Sequence, residues 1–313
     1  MTFIIGNSLL VDEICFVKIN FINQLLKFFL AKKIVAKMKS IKKILVPTDF
    51  SLNAANALDF ALGMARGNGM EIHLLHSYSV PYTDSNIMID ISDVLIKKAE
   101  EDIRLLIEEI RHNKKNNDCI IRWSCEYGPA SEVIASKVAS DDFDLVVMGT
   151  KGANSVASKL LGSVTYNTIR KIKIPIIVVP EKSVNGEINK IIFATDLHIN
   201  GSIKKLDYLR DFAIDLGSTI DVLYVNQNPN EKPDIQMAID SMRLDNKLKE
   251  VYHNFEVVEN ENIEDGINEF ISTHPCDILA VMPKHYGFLE GLFHNSMTRS
   301  LTMHARLPLL VLR

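Results

Sequence analysis

The chain opens two stretches the same way. "IKKILVPTDFS" (41–51) and "INKIIFATDLH" (188–198) both run Ile-x-Lys-Ile into apolar residues and then Thr-Asp. The endings match as well: "IPIIVVP" (174–180) and "LPLLVLR" (307–313). Asp49 and Asp196 stand 147 positions apart, and Pro175 and Pro308 stand 133 apart. The sequence is therefore one unit written twice, the second copy shorter by about fourteen residues. A repeat of this size means tandem domains, because solenoid periods run roughly 20–50 residues.

Inside each copy, short apolar runs alternate with helical stretches. In the first, the predicted strands are 43–48, 71–78, 119–126, 144–149 and 174–179; in the second they lie near 190–195, 219–225, 255–258, 277–282 and 307–312. Ser51 is the expected N-cap of the first helix, and Gly67 and Gly69 are its expected stop. "DVLIKKAEEDIRLLIEEIRH" (93–112) sets Leu95, Ala99, Leu106 and Ile110 near one face, and "PASEVIASKVAS" (129–140) carries Pro129 in its first turn. Strands apolar throughout, separated by helices, predict a parallel sheet covered on both faces. The expected fold is α/β, with five strands and four helices per copy. Expected boundaries are an extension at 1–38, a first domain at 39–182 and a second at 188–313.

Composition excludes several classes. A net charge of −4 lacks the basic excess of a nucleic-acid binder. The four cysteines (15, 119, 125 and 276) form no CxxC pair and no metal-ligand spacing, and the one HxxH pair among the nine histidines, His73 and His76, lies on a predicted strand, where positions i and i+3 point to opposite faces. That pattern predicts no metal site and suits a reducing, cytoplasmic compartment. "INFINQLLKFFLAKKIVAK" (19–37) is broken by Asn23, Gln24 and Lys27, so no membrane span is expected. Ile22, Leu25, Leu26 and Phe29 could line the face of a membrane-surface helix; the other reading is a poorly ordered extension ahead of a true start at Met38.

The carboxyl edge of a parallel sheet is where a doubly wound fold binds ligands. "GTKGANSVASKLLGS" (149–163) sits there, directly after the apolar run "LVVM". Gly149 and Gly152 would allow positive φ and close approach by a bulky group. Gly162-Ser163 then opens a helix whose first amides lack internal partners, a ready anion site with the Ser163 and Thr165 hydroxyls as further donors. Lys151 points either at a phosphate or at solvent. An ordinary strand-exit turn with Ser163 as a plain cap is the alternative. Asp49 closes the first strand on the same edge, either accepting from a nucleoside or capping the helix near Ser51.

These features together, "PTDFS", "LLHSY" (74–78), "GPASEVI" (128–134) and the Gly-x2-Gly-x9-Gly-Ser spacing, resemble the universal stress protein family over roughly 40–313. The resemblance implies a tandem member with two doubly wound, Rossmann-like sheets in the strand order 3-2-1-4-5. It also implies ATP as ligand, with or without magnesium. The phosphate role falls on Gly149, Gly152, Gly162 and Ser163, and the nucleoside role on Asp49 and Ser77. Their neighbours Pro47, Thr48, Met148, Thr150, Val164 and Thr165 complete the implied set. In this family the last strands of two domains pair, which implies an intrachain pseudo-dimer of 174–179 with 307–312; a homodimer is a further expectation.

In the second copy Gly149 maps to Met282, Gly152 to His285, Gly162 to Asn295 and Gly128 to Glu261; Ser163 keeps a match in Ser296. That copy is not expected to bind ATP in the family's manner. "GFLEGLF", with Phe288 and Phe293 beside His285 and His294, reads as a packed helix or as a ligand or metal pocket. No GxSxG, Walker, HxGH or SGGxDS motif is present. The leading expectation is an ATP-binding stress protein using the nucleotide as a regulatory ligand. A nucleotide-independent adaptor with a protein partner, and a weak ATPase, are the alternatives.

Overall fold

The computed structural model describes residues 41–79, 92–150, 161–183, 186–199, 203–228, 235–283 and 307–313. The extension at 1–38, Lys151, Gly152, His285, Phe288, Phe293, His294, Asn295 and Ser296 lie outside the described residues.

Ten strands form one sheet. They are β1 (Lys43–Thr48), β2 (Glu71–Tyr78), β3 (Ile120–Tyr127), β4 (Leu145–Gly149), β5 (Ile176–Val179), β6 (Lys190–Ala194), β7 (Thr219–Asn226), β8 (His253–Glu259), β9 (Ile278–Val281) and β10 (Leu309–Val311). Their order across the sheet is β3-β2-β1-β4-β5-β10-β9-β6-β7-β8. Each half therefore runs 3-2-1-4-5 from its own outer edge to the centre. All neighbours are parallel except at the centre, where β5 and β10 pair antiparallel with Val178 opposite Leu309 and Ile176 opposite Val311. The two short, fully buried strands thus complete each other's ladder at what would otherwise be two edges.

Seven described helices cover the two faces: α1 (Leu52–Ala65), α2 (Ser92–His112), α3 (Ala130–Ser140), α4 (Ser163–Lys171), α5 (Ile203–Leu216), α6 (Ile235–Leu248) and α7 (Ile263–Thr273). None of the described helices is long and apolar enough to cross a membrane. Ser51 caps α1 by accepting from the Ala54 amide at 3.3 Å, and Gly67 and Gly69 end it with φ of 66° and 65°. The buried face of α2 is Ala99, Ile103, Ile107 and Ile110, with Leu106 at its margin; the predicted face lacked the two isoleucines. Pro129 is the N-cap of α3 rather than a residue of its first turn. The expected fourth helix of the second half falls in 284–306, outside the described residues.

One core layer carries Ile44, Val46, Phe60 and Leu74 of the first half together with Phe193, Leu206, Phe212 and Val222 of the second. The other face joins Leu75, Ile134 and Met148 to Leu223, Ile267 and Val281 in the same way. A continuous sheet with two shared cores makes 40–313 a single compact unit.

The halves can be aligned by hydrogen-bond register. Asp144 accepts from the Lys42 and Lys43 amides at 2.7 and 2.9 Å, and Asp277 accepts from Asn189 and Lys190 at 2.8 and 2.9 Å. Leu74 corresponds to Val222 and Trp123 to Phe255, each pair being strand neighbours in its own half. The spacing drops from 148 to 132 between those positions, so the shortening of the second half is concentrated in the crossover between β7 and β8.

Candidate functional site

The end of β1 is shaped by side chains bonding their own backbone. Thr48 Oγ1 accepts from the Phe50 amide and Asp49 Oδ1 from the Ser51 amide, both at 3.1 Å. The second half repeats this with Thr195 to Leu197 and Asp196 to His198, again at 3.1 Å. Phe50 and Leu197 hold the same left-handed φ, 61° and 60°. A positive φ in two bulky residues is costly, and the paired Thr and Asp acceptors hold it in place. Asp49 therefore organises the turn, while Ser51 is the residue that caps α1.

Gly149 ends β4 one strand away. It does not adopt positive φ, contrary to the sequence expectation. Its missing Cβ answers another need: a Cβ there would lie 2.8 Å from the Asn53 carbonyl oxygen. The glycine lets the first turn of α1 sit against the strand end.

Thr150, itself buried, fastens the exit of β4. Its amide donates to Val179 O at 3.1 Å, and its carbonyl accepts from the Gly162 amide at 2.6 Å. Gly162 is the N-cap of α4 and provides no side-chain acceptor, and the first turn holds no acid. The first intrahelical bond runs from the Tyr166 amide to Gly162 O. The Ser163, Val164 and Thr165 amides precede it and carry the positive end of the helix dipole. Ser163 is exposed. The Thr165 hydroxyl is buried and donates to Gly149 O at 2.8 Å, so it is a tie between α4 and β4 and not the ligand donor expected from sequence.

Between these elements opens a cleft of about 530 Å³, its solvent-filled mouth included. Eight of the sequence-predicted residues line it: Pro47, Thr48, Asp49, Ser77, Met148, Gly149, Val164 and Thr165. Thr150 and Gly162 are fastened beside it through the bonds just described, and Ser163 opens α4 next to the lining residue Val164. Sequence reasoning missed Ala54, Leu75, Ala130 and Ile134, which complete the wall. Leu75, Ile134 and Met148 give the lining apolar surface, and its polar groups are the buried Thr48 and Thr165 together with Asp49 and Ser77. Asp49 is, among the described residues, the one titratable side chain in the lining. Among the described residues, no cluster of three or more His, Cys, Asp or Glu could hold a metal.

The N-terminus of α3 also faces the cleft through Ala130. Gly128, at φ 137°, donates its amide to Tyr78 O at 2.9 Å, and Pro129 then caps the helix without a side-chain acceptor. In the second half the corresponding bond runs from Asn260 to Asn226 O at 3.1 Å, so the counterpart of Gly128 is Asn260 and not Glu261. One extra residue follows, and Asn262 caps α7 by accepting from the Glu264 and Asp265 amides at 2.9 and 3.0 Å. That first turn carries two acids where α3 carries one.

Among the described residues, larger side chains stand at the equivalent positions of the second half. Val225 takes the place of Ser77 and packs so tightly on Gly266 that a Cβ there would fall 2.7 Å from Val225 Cγ1. Ile263 stands where Ala130 does, and half-buried Met282 replaces Gly149.

Residues 40–180 match the family model described as the universal stress protein family. Two universal stress proteins of Methanocaldococcus jannaschii are similar to the chain. One is 29% identical over 158 residues, covering 45% of the chain and 96% of that protein. The other is 27% identical over 174 residues, covering 51% and 94%. A solved universal stress protein from Archaeoglobus fulgidus superimposes over 88% of the chain and 99% of its own length, with a TM-score of 0.63 at 16% identity, a likeness of fold.

Proposed function

Residues 40–180 belong to the universal stress protein family, and from that premise we propose that the first half of this chain binds ATP as a regulatory ligand. The observation that carries this reading is the convergence of eight motif residues on one cleft at the β1/β4 switch point, where the winding direction reverses. The residues fit the ligand's parts. Leu75, Ile134 and Met148 offer apolar surface to a base. Asp49 and Ser77 offer acceptors and a hydroxyl at the nucleoside end. The uncapped first turn of α4, free of acids, suits phosphate oxygens.

Ligand, and not substrate, is the better role. Hydrolysis needs a group to orient water, and among the described residues the lining supplies only Asp49, whose Oδ1 already holds the Ser51 amide. Bound nucleotide would stabilise the folded chain by mass action, which is how a ligand can report on conditions without being consumed. The second half is assigned a different purpose, because Val225, Ile263 and Met282 stand at the positions of Ser77, Ala130 and Gly149, and α7 presents acids at its first turn.

The test is to denature the purified chain and identify what it releases. ATP or ADP at up to one per chain supports the reading. A chain that releases no nucleotide, and takes up none when titrated with ATP with or without magnesium, contradicts it and leaves the adaptor role.

A further inference from the structure

We propose that β8 is a homodimerisation edge, pairing antiparallel with β8 of a second copy of this chain about a two-fold axis at Phe255.

Among the described residues, β8 is the last strand on its side of the sheet. Its register against β7 fixes which backbone groups are used. Tyr252 O accepts from Ile220 and Asn260 donates to Asn226, so the even-numbered residues face β7. In a parallel pair alternate residues turn their amide and carbonyl to the same side, so His253, Phe255 and Val257 direct theirs to the free edge.

Two of these three side chains are apolar and exposed, while His253 is largely buried against Asp245 and Val251 O. Phe255 is 41% and Val257 63% exposed. They lie on the same sheet face as their neighbours Val222 and Tyr224, which belong to the core. The first half shows what normally covers this position. There, the counterparts Trp123 and Cys125 pack on the core beside the 21-residue α2, and Arg104 stands 6.0 Å over the Trp123 ring. The shortened β7–β8 crossover leaves the 14-residue α6 in that role. β8 has no lysine or proline to keep it from pairing, and its charges are Glu256 and the terminal Glu259.

Self-complementarity selects the occupant. A two-fold axis at Phe255 sets the two Phe255 rings together, His253 against Val257, and Asn254 against Glu256. No like charges stand directly opposite, the two Glu256 side chains being diagonal neighbours, and about six backbone hydrogen bonds form. The neighbouring register, centred on Glu256, would oppose that carboxylate to itself and is disfavoured.

Sedimentation equilibrium on the full chain tests this. A dimer of the 35.3 kDa chain is expected at micromolar concentration. Val257→Pro removes an outward amide without touching the β7 ladder, and Val257→Lys adds a charge to an exposed position. Each should weaken association at least about tenfold while far-UV circular dichroism stays unchanged; if the proline variant misfolds, the lysine variant decides. A wild-type chain monomeric up to about 100 µM would overturn the proposal, as would a dimer that survives the folded variant.

Discussion

Thr165 donates its hydroxyl to the carbonyl oxygen of Gly149 across 2.8 Å, joining the first turn of α4 to the last residue of β4 beneath the cleft. Both ends are buried. Thr165→Val keeps the shape and removes the donor, leaving a buried carbonyl without that bond. We expect a loss of about 1–3 kcal/mol in urea unfolding, because an unsatisfied buried acceptor costs its desolvation. If the tie also positions α4, ATP affinity falls in the same variant at temperatures where it remains folded.

Gly186 lies against α1 so closely that a Cβ would sit 1.9 Å from Phe60 O and 2.8 Å from Met64 N. Backbone cannot yield as a side chain can. Gly186→Ala should therefore destabilise by roughly 3 kcal/mol, lowering the thermal midpoint in calorimetry. Asn56 holds the start of the same connection through Pro180 O at 2.6 Å, so Asn56→Ala should act in the same direction with a smaller effect.

His73 is buried, 2.9 Å from Ser124 Oγ, with the ring of Phe143 edge-on and Lys137 and Lys43 close by. Burial first, then the two lysines, push its pKa below 6.5, against the weaker opposing pull of Asp141 and Glu71. The unfolded chain thus takes up a proton before the folded one does. The stability held by neutral His73 is complete above pH 6.5 and is lost as pH falls from there toward the depressed folded value. Unfolding free energy measured at pH 7.5 and 5.0 should fall more for the wild type than for His73→Gln; equal losses would remove His73 from the account.

Burial raises the thiol of Cys125 to about 11 and that of Cys276 to about 12, with neighbouring carboxylates adding to both shifts. Neither is a reactive thiolate near neutrality. Site-resolved alkylation by iodoacetamide at pH 8 should be slow at both in the native chain and fast in urea.

Much of this architecture is legible in the chain itself. Repeated Ile-x-Lys-Ile and Thr-Asp openings locate β1 and β6, and continuous apolar runs locate the buried strands, because period and burial are local properties. The glycine spacing locates Gly149 and the start of α4. What stayed hidden is tertiary. Leu75, Ala130 and Ile134 read as ordinary core, since nothing in helical or strand period distinguishes a cavity wall from a packed face. The reason for Gly149 is a neighbour, Asn53, nearly a hundred positions away. Offsets taken from the two ends cannot see that sixteen residues leave one crossover and single residues enter elsewhere, which is why the partner of Gly128 was misplaced by one. The filling of the second half by Val225 against Gly266 depends on a contact between strand and helix that no motif records.

The most direct test is calorimetric titration of the full chain with ATP, wild type against Val164→Asp. Val164 is 37% exposed at the first turn of α4, so the substitution places a carboxylate where phosphate would bind while sparing the core. The expected result is one site per chain in the wild type and at least about a tenfold loss in the variant. Two equal sites, or an affinity indifferent to Val164→Asp, would contradict an anion cradle confined to the first half.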